Sequence, residues 1–227
     1  MRSIAVAVIA LLCFPASAQD GGVMASEDAV MKASLVEGMV TMVPSTGGGP
    51  GPLQEDDLLH QGDTVITQPG ARLEITFASG TVIRVGESTR LTLGEVVPKK
   101  AFSAKIFFGN VWAKVHKLLA SETFHLETEN GVAGVRGTEF RLEVAPGKDD
   151  LLRVYEGVVQ VDAKDGKWSH RVEASHELRF HKDREPKGAA KFDPAAEKGH
   201  RFMEWVRARK ENFKYKNPER EHKKRKH

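Results

Sequence analysis

The chain has 227 residues, with 34 lysine and arginine residues against 31 aspartate and glutamate residues and a formal net charge of +3. Its hydrophobic share of 40% is ordinary for a globular protein, and its length suffices for one sizeable core with appendages. Cys13 is the only cysteine, which excludes an internal disulfide framework. If a leader containing Cys13 is removed, a cysteine nucleophile and a thiolate metal site are excluded as well.

The N-terminus has the pattern of a signal peptide. Arg2 is followed by an apolar run at residues 4–14 and then by Ala16-Ser17-Ala18. A charged start, a short apolar region and a small-residue site are typical of export signals, so we predict cleavage after Ala18. Lipidation at Cys13 is the less favoured alternative, because Leu12 stands where a small residue is expected. No other long apolar stretch follows, so we expect a periplasmic or secreted protein without a transmembrane span in the mature chain.

Residues 19–57 are predicted to hold one strand region and one flexible loop. Apolar residues between 35 and 43 indicate a strand that is interrupted at Gly38. Residues 46–52, Thr-Gly-Gly-Gly-Pro-Gly-Pro, disfavour both helix and sheet. This loop lacks a following Lys-Ser/Thr pair and opens no recognisable helix, so it does not indicate phosphate binding.

From residue 57 to residue 93 the pattern alternates with period two. It predicts short strands near residues 64–67, 72–77, 82–85 and 90–93, separated by turns rich in glycine, proline and serine. In the predicted strand at residues 72–77 the alternation assigns each side chain to one face of the sheet. Leu73, Ile75 and Phe77 should face the core. Arg72, Glu74 and Thr76 should face water.

Residues 102–115 are predicted to form a hairpin of two strands, with Gly109-Asn110 at its tip. Trp112 lies on the second strand beside Lys114, and we interpret it as a core or rim residue rather than a platform for ligand stacking. A further strand is predicted at residues 124–128, and four more at residues 151–155, 158–161, 168–172 and 178–180.

The stretch between residues 131 and 140 predicts a tight structural corner. Its glycines recur every third residue, which fits neither a helical stripe nor a plain strand, and an alternating strand follows it. The corner motif comprises Gly131, Gly134, Val135, Arg136, Gly137, Thr138, Glu139 and Phe140. We hypothesise that Arg136 pins the corner to neighbouring strands, with Glu139 as one candidate partner.

The character of the chain changes near Pro186. Asp193-Pro194 has the features of a helix start, with a carboxylate at the N-cap and proline in the first turn. The pattern predicts an amphipathic helix of about five turns. Its apolar face is formed by Phe202, Trp205, Val206 and Phe213. This face should dock on the β-domain and cover an exposed edge; the alternative is a partner-binding or membrane-surface helix.

The end of the chain is strongly basic. From Lys198 onward there are twelve lysine and arginine residues against four acidic ones. The last eleven residues, 217–227, form a basic tail. Its clustered cations are Lys223, Lys224, Arg225 and Lys226.

No catalytic constellation is recognisable in the sequence. The motifs of serine hydrolases, zinc proteases and P-loop proteins are missing. Several histidines are scattered over the strands without a tight metal-ligand spacing, which makes a metal site the less favoured interpretation. They are His116, His125, His170, His176 and His181. We therefore expect neither enzymatic activity nor a cofactor nor a bound metal.

Several ordered motifs between residues 58 and 161 resemble the FecR domain, a periplasmic all-β module. The most specific are Val135-Arg-Gly-Thr-Glu-Phe140, preceded by Phe124-His-Leu-Glu-Thr128 and followed by Val154-Tyr-Glu-Gly-Val-Val-Gln-Val161. Upstream, Gly62-Asp-Thr-Val65, Gly70-Ala-Arg-Leu-Glu-Ile-Thr-Phe77, Ser79-Gly-Thr81 and Gly109-Asn-Val-Trp-Ala-Lys-Val115 occur in the same order as in that family.

In better-known FecR-like proteins the module follows a single membrane span and a cytoplasmic anti-sigma segment, and it relays a signal from a TonB-dependent outer-membrane receptor. Because residues 1–18 have the pattern of a signal peptide, we expect no such cytoplasmic segment and no retained span here, and we expect a basic helix after the β-domain. The resemblance therefore does not imply direct control of a sigma factor. What it does imply is an exported, non-enzymatic binding or signalling module of the bacterial cell envelope. We expect such a module to dock a protein partner by strand addition or through the helix.

The alternative function is an envelope-surface adaptor, held by its basic helix and tail to anionic polymer or lipid. Nucleic acid is not an expected partner of an exported protein. The predicted fold is an all-β twisted sandwich or solenoid of short strands followed by one amphipathic helix. The predicted segments are a signal peptide at 1–18, an N-terminal strand and loop at 19–57, the FecR-like domain at 58–161, further strands at 162–185, a linker and helix at 186–216, and the tail at 217–227.

Overall fold

A computed structural model describes residues 31–97, 101–116 and 123–210 of the chain. The predicted signal peptide, Phe213 and the basic tail, including Lys223, Lys224, Arg225 and Lys226, lie outside these described residues.

The described residues form seventeen strands, one 3₁₀ turn and one α-helix. The strands are β1 (Met31–Glu37), β2 (Val40–Val43), β3 (Gly51–Pro52), β4 (Leu58–Leu59), β5 (Thr64–Thr67), β6 (Arg72–Phe77), β7 (Val82–Val85), β8 (Thr89–Val97), β9 (Ala101–Lys114), β10 (Thr123–Glu127), β11 (Val132–Val135), β12 (Glu139–Val144), β13 (Asp150–Glu156), β14 (Val158–Asp162), β15 (Ser169–Glu173), β16 (His176–Phe180) and β17 (Ala190–Lys191). The 3₁₀ turn (Pro194–Glu197) and helix α1 (Arg201–Lys210) follow.

The strands form one open sheet that folds over at β9 into two layers. The front layer has the order β4-β1-β6-β7-β9-β12-β13-β16-β17. The back layer has the order β3-β2-β5-β8-β9-β10-β11-β14-β15. These ladders are antiparallel apart from the β9–β10 pair. The all-β prediction is therefore confirmed, and of the two predicted architectures the chain adopts the sandwich.

The core lies between the two layers. Leu73 and Ile75 enter it from β6 in the front layer, while Leu91 and Leu93 enter it from β8 in the back layer. All four side chains are fully buried, and burying such a side chain contributes about 1.5–3 kcal/mol. The predicted core side of β6 is thus confirmed. The prediction that Glu74 faces water is wrong, because α1 covers that side of the strand and leaves Glu74 buried.

The predicted hairpin at Gly109-Asn110 is also wrong, because β9 is one continuous strand. Residues 101–108 pair in the back layer and residues 109–114 pair in the front layer. At the crossing, Gly109 has φ +111°, and a Cβ there would lie 2.1 Å from Thr89 Oγ1. The glycine therefore allows the strand to pass between layers rather than to reverse.

The predicted corner joins β11 in the back layer to β12 in the front layer. Gly137 adopts φ +68° within it. Glu139 is buried and accepts a hydrogen bond from Trp112 Nε1 at 3.3 Å. Arg136 is exposed, and it has no hydrogen-bond or ion-pair partner within the described ranges. The hypothesis that Arg136 pins the corner to its neighbours is therefore wrong.

The C-terminal segment packs on the outer surface of the front layer. Asp193 caps the 3₁₀ turn as predicted, since its carboxylate accepts from Ala195 N at 2.8 Å. The predicted single helix is interrupted at Gly199, where φ is +88°, before α1 begins. Phe202, Trp205 and Val206 are buried against Val82 and Trp112 of the front layer. They cover a face rather than an edge, so these three residues are not a free partner-binding surface.

Candidate functional site

A row of polar and aromatic side chains crosses the outer face of the front layer. The row runs through residues that are direct cross-strand neighbours on six strands. In order from β6 to β16 they are Glu74, Arg84, Trp112, Arg141, Arg153 and Glu177. Burying a charge lowers stability unless the charge is paired, so the stability of this row depends on the groups that pack over it and pair with its charges.

At one end of the row, Glu74 and Arg84 form a buried ion pair. Arg84 Nε donates to Glu74 Oε2 at 2.7 Å, and each side chain is only 2% exposed. Helix α1 completes the pair, because Arg209 Nε donates to Glu74 at 3.3 Å and Arg84 donates to the Val206 carbonyl at 2.8 Å. Burial opposes ionisation of Glu74, but the hydrogen bonds from Arg209 and Arg84 outweigh it and lower the pKa of Glu74.

Near the centre of the row, Glu197 of the 3₁₀ turn lies between two arginines. Its carboxylate is 2.9 Å from Arg153 Nη1 and 3.4 Å from Arg141 Nη2. Tyr155 donates its hydroxyl to Glu197 at 2.7 Å, and both burial and this carboxylate raise the pKa of Tyr155. Glu177 completes the row by accepting from Arg153 Nε at 2.8 Å.

Next to Glu197 the outer face opens into a cleft of about 740 Å³. Strands β12, β13 and β16 line it, together with the turn between β12 and β13, the segment that follows β16, and His200 before α1. A second cavity of about 480 Å³ adjoins it and shares Asp149, Arg179, His181 and Arg184. We call the two cavities together the basic cleft. The larger cavity is lined by Arg141, Glu143, Ala145, Gly147, Lys148, Asp149, Leu151, Arg153, Arg179, His181, Arg184 and His200.

The larger cavity carries an excess of positive charge. Five lysine and arginine side chains line it against two carboxylates, those of Glu143 and Asp149. Arg141 and Arg153 are held by Glu197, and Arg184 pairs with Asp149. Arg179 and Lys148 are exposed, and neither side chain contacts a carboxylate of the described chain. These two cations are therefore available to an anionic ligand.

His200 forms one wall of the basic cleft. Its Nε2 lies 2.8 Å from Arg141 Nη1. Burial and the neighbouring Arg141 charge lower the pKa of His200, so its ring is neutral at pH 7 and accepts this hydrogen bond from the guanidinium.

The smaller cavity runs beside an open strand edge. On its outer side, β16 is paired by β17 only at His176 and Glu177. At residues 178–180 no strand of the described chain pairs with this side of β16, and the smaller cavity separates it from residues 185–188. Such an edge presents backbone N–H and C=O groups that can pair with another extended segment.

The structure does not bring the predicted histidines together. Among residues 31–97, 101–116 and 123–210 there is no group of three or more His, Cys, Asp and Glu side chains that could hold a metal ion. The described chain also has no helix that is long and apolar enough to cross a membrane. Sequence reasoning missed Arg141, Arg179, Glu197 and His200. The alternation of charged residues in β12 and β16 was the available signal, but it did not indicate what packs against them.

Comparison with known proteins identifies the β-domain. Residues 63–160 match the family model described as FecR protein. Two crystal structures, each of a candidate anti-sigma factor from Parabacteroides distasonis ATCC 8503, are similar in fold. The structure at 1.65 Å resolution has a TM-score of 0.52 at 17% identity and covers 62% of this chain and 64% of its own. The structure at 2.50 Å resolution has a TM-score of 0.53 at 16% identity and covers 62% and 63%.

The similarity thus spans less than two thirds of the length of those anti-sigma factor chains. No curated protein matches this chain. The motifs, the two-layered fold and the family match agree on the same stretch of sequence. Residues 63–160 of this chain are therefore a FecR domain.

Proposed function

We propose that this chain is an exported, non-enzymatic signalling module of the bacterial cell envelope that docks a protein partner along the outer edge of β16. The FecR domain and the similarity to structures of candidate anti-sigma factors support a signalling module. The signal-peptide pattern at residues 1–18 supports export. The observation that carries the docking proposal is the unpaired edge at residues 178–180 beside the basic cleft.

Strand addition suits this edge for two reasons. The edge is unpaired at residues 178–180, where the smaller cavity separates it from residues 185–188, so a partner segment could enter this cavity and pair with β16. Arg179 lies within the open part and is exposed, and a charged residue on an edge disfavours pairing between copies of the same chain. The edge is thus protected against self-association but open to a complementary segment.

A single introduced cysteine tests the docking proposal. In a Cys13→Ser background, Ala190→Cys places one thiol on β17 beside the smaller cavity without removing a charge of the cleft. Arg171→Cys places a control thiol on β15, the edge of the back layer. Each variant, exported from the native host, is treated with a thiol-directed photocross-linker in intact envelopes. We expect a discrete protein adduct at position 190 but not at position 171. Equal adducts at both positions, or none at 190, would refute docking at β16.

The alternative function as an adaptor held by the basic tail depends on residues outside the described ranges and stays a prediction. Deletion of residues 217–227 should then release the protein from the envelope at low salt.

A further inference from the structure

We infer that the basic cleft recognises an acidic, extended segment of the partner, with a carboxylate opposite Arg179. This inference rests on the proposed docking at β16 and adds the chemistry of the segment that docks there. It depends on three observations: the charge of the cleft, the distribution of its own carboxylates, and the register of β16.

The charge of the cleft favours an anion. Arg179 and Lys148 are the cations of the larger cavity that have no carboxylate partner in the described chain, and both are exposed. A carboxylate placed beside either cation would be attracted by it. Because the cleft is open to solvent, this attraction should weaken as salt shortens the screening length.

The carboxylates of the cleft favour separate acidic side chains over a continuous polyanion. Asp149 forms an ion pair with Arg184, and Glu143 forms an ion pair with Arg141 at 3.1 Å from Nη2. Glu177 and Glu185 line the adjoining cavity. These acids divide the positive surface into individual guanidinium sites. The closely spaced charges of a polyphosphate chain would lie next to these carboxylates and be repelled by them. The carboxylates of a peptide are farther apart, so they can contact the guanidinium groups without approaching the acids of the cleft.

The register of β16 assigns a position to the carboxylate. A second set of cross-strand neighbours on the outer face runs from Glu143 through Leu151 to Arg179. It ends at Arg179, whose side chain has no carboxylate partner in the described chain. In the adjacent row, Ala190 of β17 already lies opposite Glu177. An extended segment that enters the smaller cavity, between β16 and residues 185–188, would place one side chain opposite Arg179, and its next side chain on the same face lies two residues away. Opposite charges in such a cross-strand pair stabilise the pairing.

The test uses three fluorescent peptides of the same length in which valine alternates with glutamate, glutamine or lysine. Fluorescence anisotropy measures their binding to the exported full chain, to Arg179→Glu, and to Arg171→Glu as the matched control. Circular dichroism of each variant checks the fold, since both arginines are exposed. We expect the glutamate peptide to bind the native chain and Arg171→Glu equally, and to bind Arg179→Glu at least tenfold more weakly. The lysine peptide should gain affinity for Arg179→Glu.

Two results would overturn the acidic-segment inference: equal binding of the glutamine and glutamate peptides, or tighter binding of inorganic polyphosphate than of the glutamate peptide. If either occurs while the adduct at position 190 still forms, docking at β16 is supported and only the assigned chemistry is wrong. If no adduct forms at position 190, the proposed function itself is wrong.

Discussion

The carboxylate of Glu197 lies 2.9 Å from Arg153 Nη1 at a point where the Glu197 side chain is only 5% exposed. Arg153 belongs to the FecR domain at residues 63–160, whereas Glu197 follows it by more than thirty residues. The C-terminal segment therefore supplies a counter-charge that the domain's own outer face needs. This relationship makes the 3₁₀ turn and α1 an integral part of the front layer rather than an appendage.

Glu197→Gln should destabilise the protein by about 2–3 kcal/mol, because it leaves Arg141 and Arg153 facing a neutral amide in a buried site. The loss stays below the largest known for buried pairs, since glutamine keeps an acceptor and Arg153 keeps Glu177. Urea unfolding of the exported chain measures the change. The control is Glu173→Gln, which removes an exposed carboxylate 3.5 Å from Arg171 and should cost less than about 0.5 kcal/mol. Similar losses for the two variants would contradict the role of Glu197.

The Glu74–Arg84 pair should behave as one energetic unit. Glu74→Met alone leaves the buried Arg84 charge without a carboxylate and should cost about 3–5 kcal/mol. Arg84→Met alone leaves Glu74 with Arg209 as its remaining charged partner, so it should cost less. The double variant removes both charges and keeps side chains of similar volume, so it should be more stable than the sum of the single losses by at least about 1 kcal/mol. Arg209, which is partly exposed, can then turn to solvent. Additive losses in denaturant unfolding would show that the two residues are not coupled.

Gly109→Ala should prevent normal folding or cost more than about 3 kcal/mol. The new Cβ would lie 2.5 Å from the Thr89 Cα atom, and φ +111° is strained for any residue with a side chain. Gly166→Ala is the matched control, since Gly166 also has a positive φ of +71° but has nothing within 4 Å of the added atom. It should cost about 1 kcal/mol. If thermal unfolding shows equal losses, the crossing of β9 between layers does not depend on Gly109.

Local patterns predicted local structure well. The alternation of Leu73 and Ile75 with polar residues predicted β6 with its observed ends and its core side. Asp193-Pro194 predicted a helix start, and a 3₁₀ turn begins there instead of the α-helix. In both cases the deciding interactions lie within a few residues of each other.

The errors concern interactions between distant residues. Alternation shows that Glu74 and Arg84 point away from the core, but it does not show that α1, more than a hundred residues later, covers them. Gly109-Asn110 suits a hairpin by composition, and only its approach to Thr89 explains why the strand continues. The basic cleft joins Arg141, Arg179 and His200 through a sheet register that no single stretch of sequence contains.

Asp150 should make stability depend on pH. Its carboxyl group is fully buried at the start of β13, next to the Thr128 and Asn130 side chains. Burial raises the pKa of Asp150 to about 6, although the nearby Thr128 and Asn130 side chains oppose the rise. The folded state thus holds a proton that the unfolded chain has released above pH ~4. The stability contributed by this proton is fully present below pH ~4 and is lost as pH rises through about 6.

Asp150→Asn removes this dependence, because the neutral amide mimics the protonated acid. The variant should be more stable than the native chain at pH 8 by up to about 3 kcal/mol, since about two pKa units correspond to about 1.4 kcal/mol each. Near pH 4 the two proteins should differ little. Urea unfolding at pH 4 and pH 8 measures both differences, with the exposed Asp183→Asn as the control that should change little at either pH. If the free energy of unfolding changes equally for the native chain and for Asp150→Asn between pH 4 and pH 8, Asp150 is already ionised in the folded state at pH 4 and the prediction is wrong.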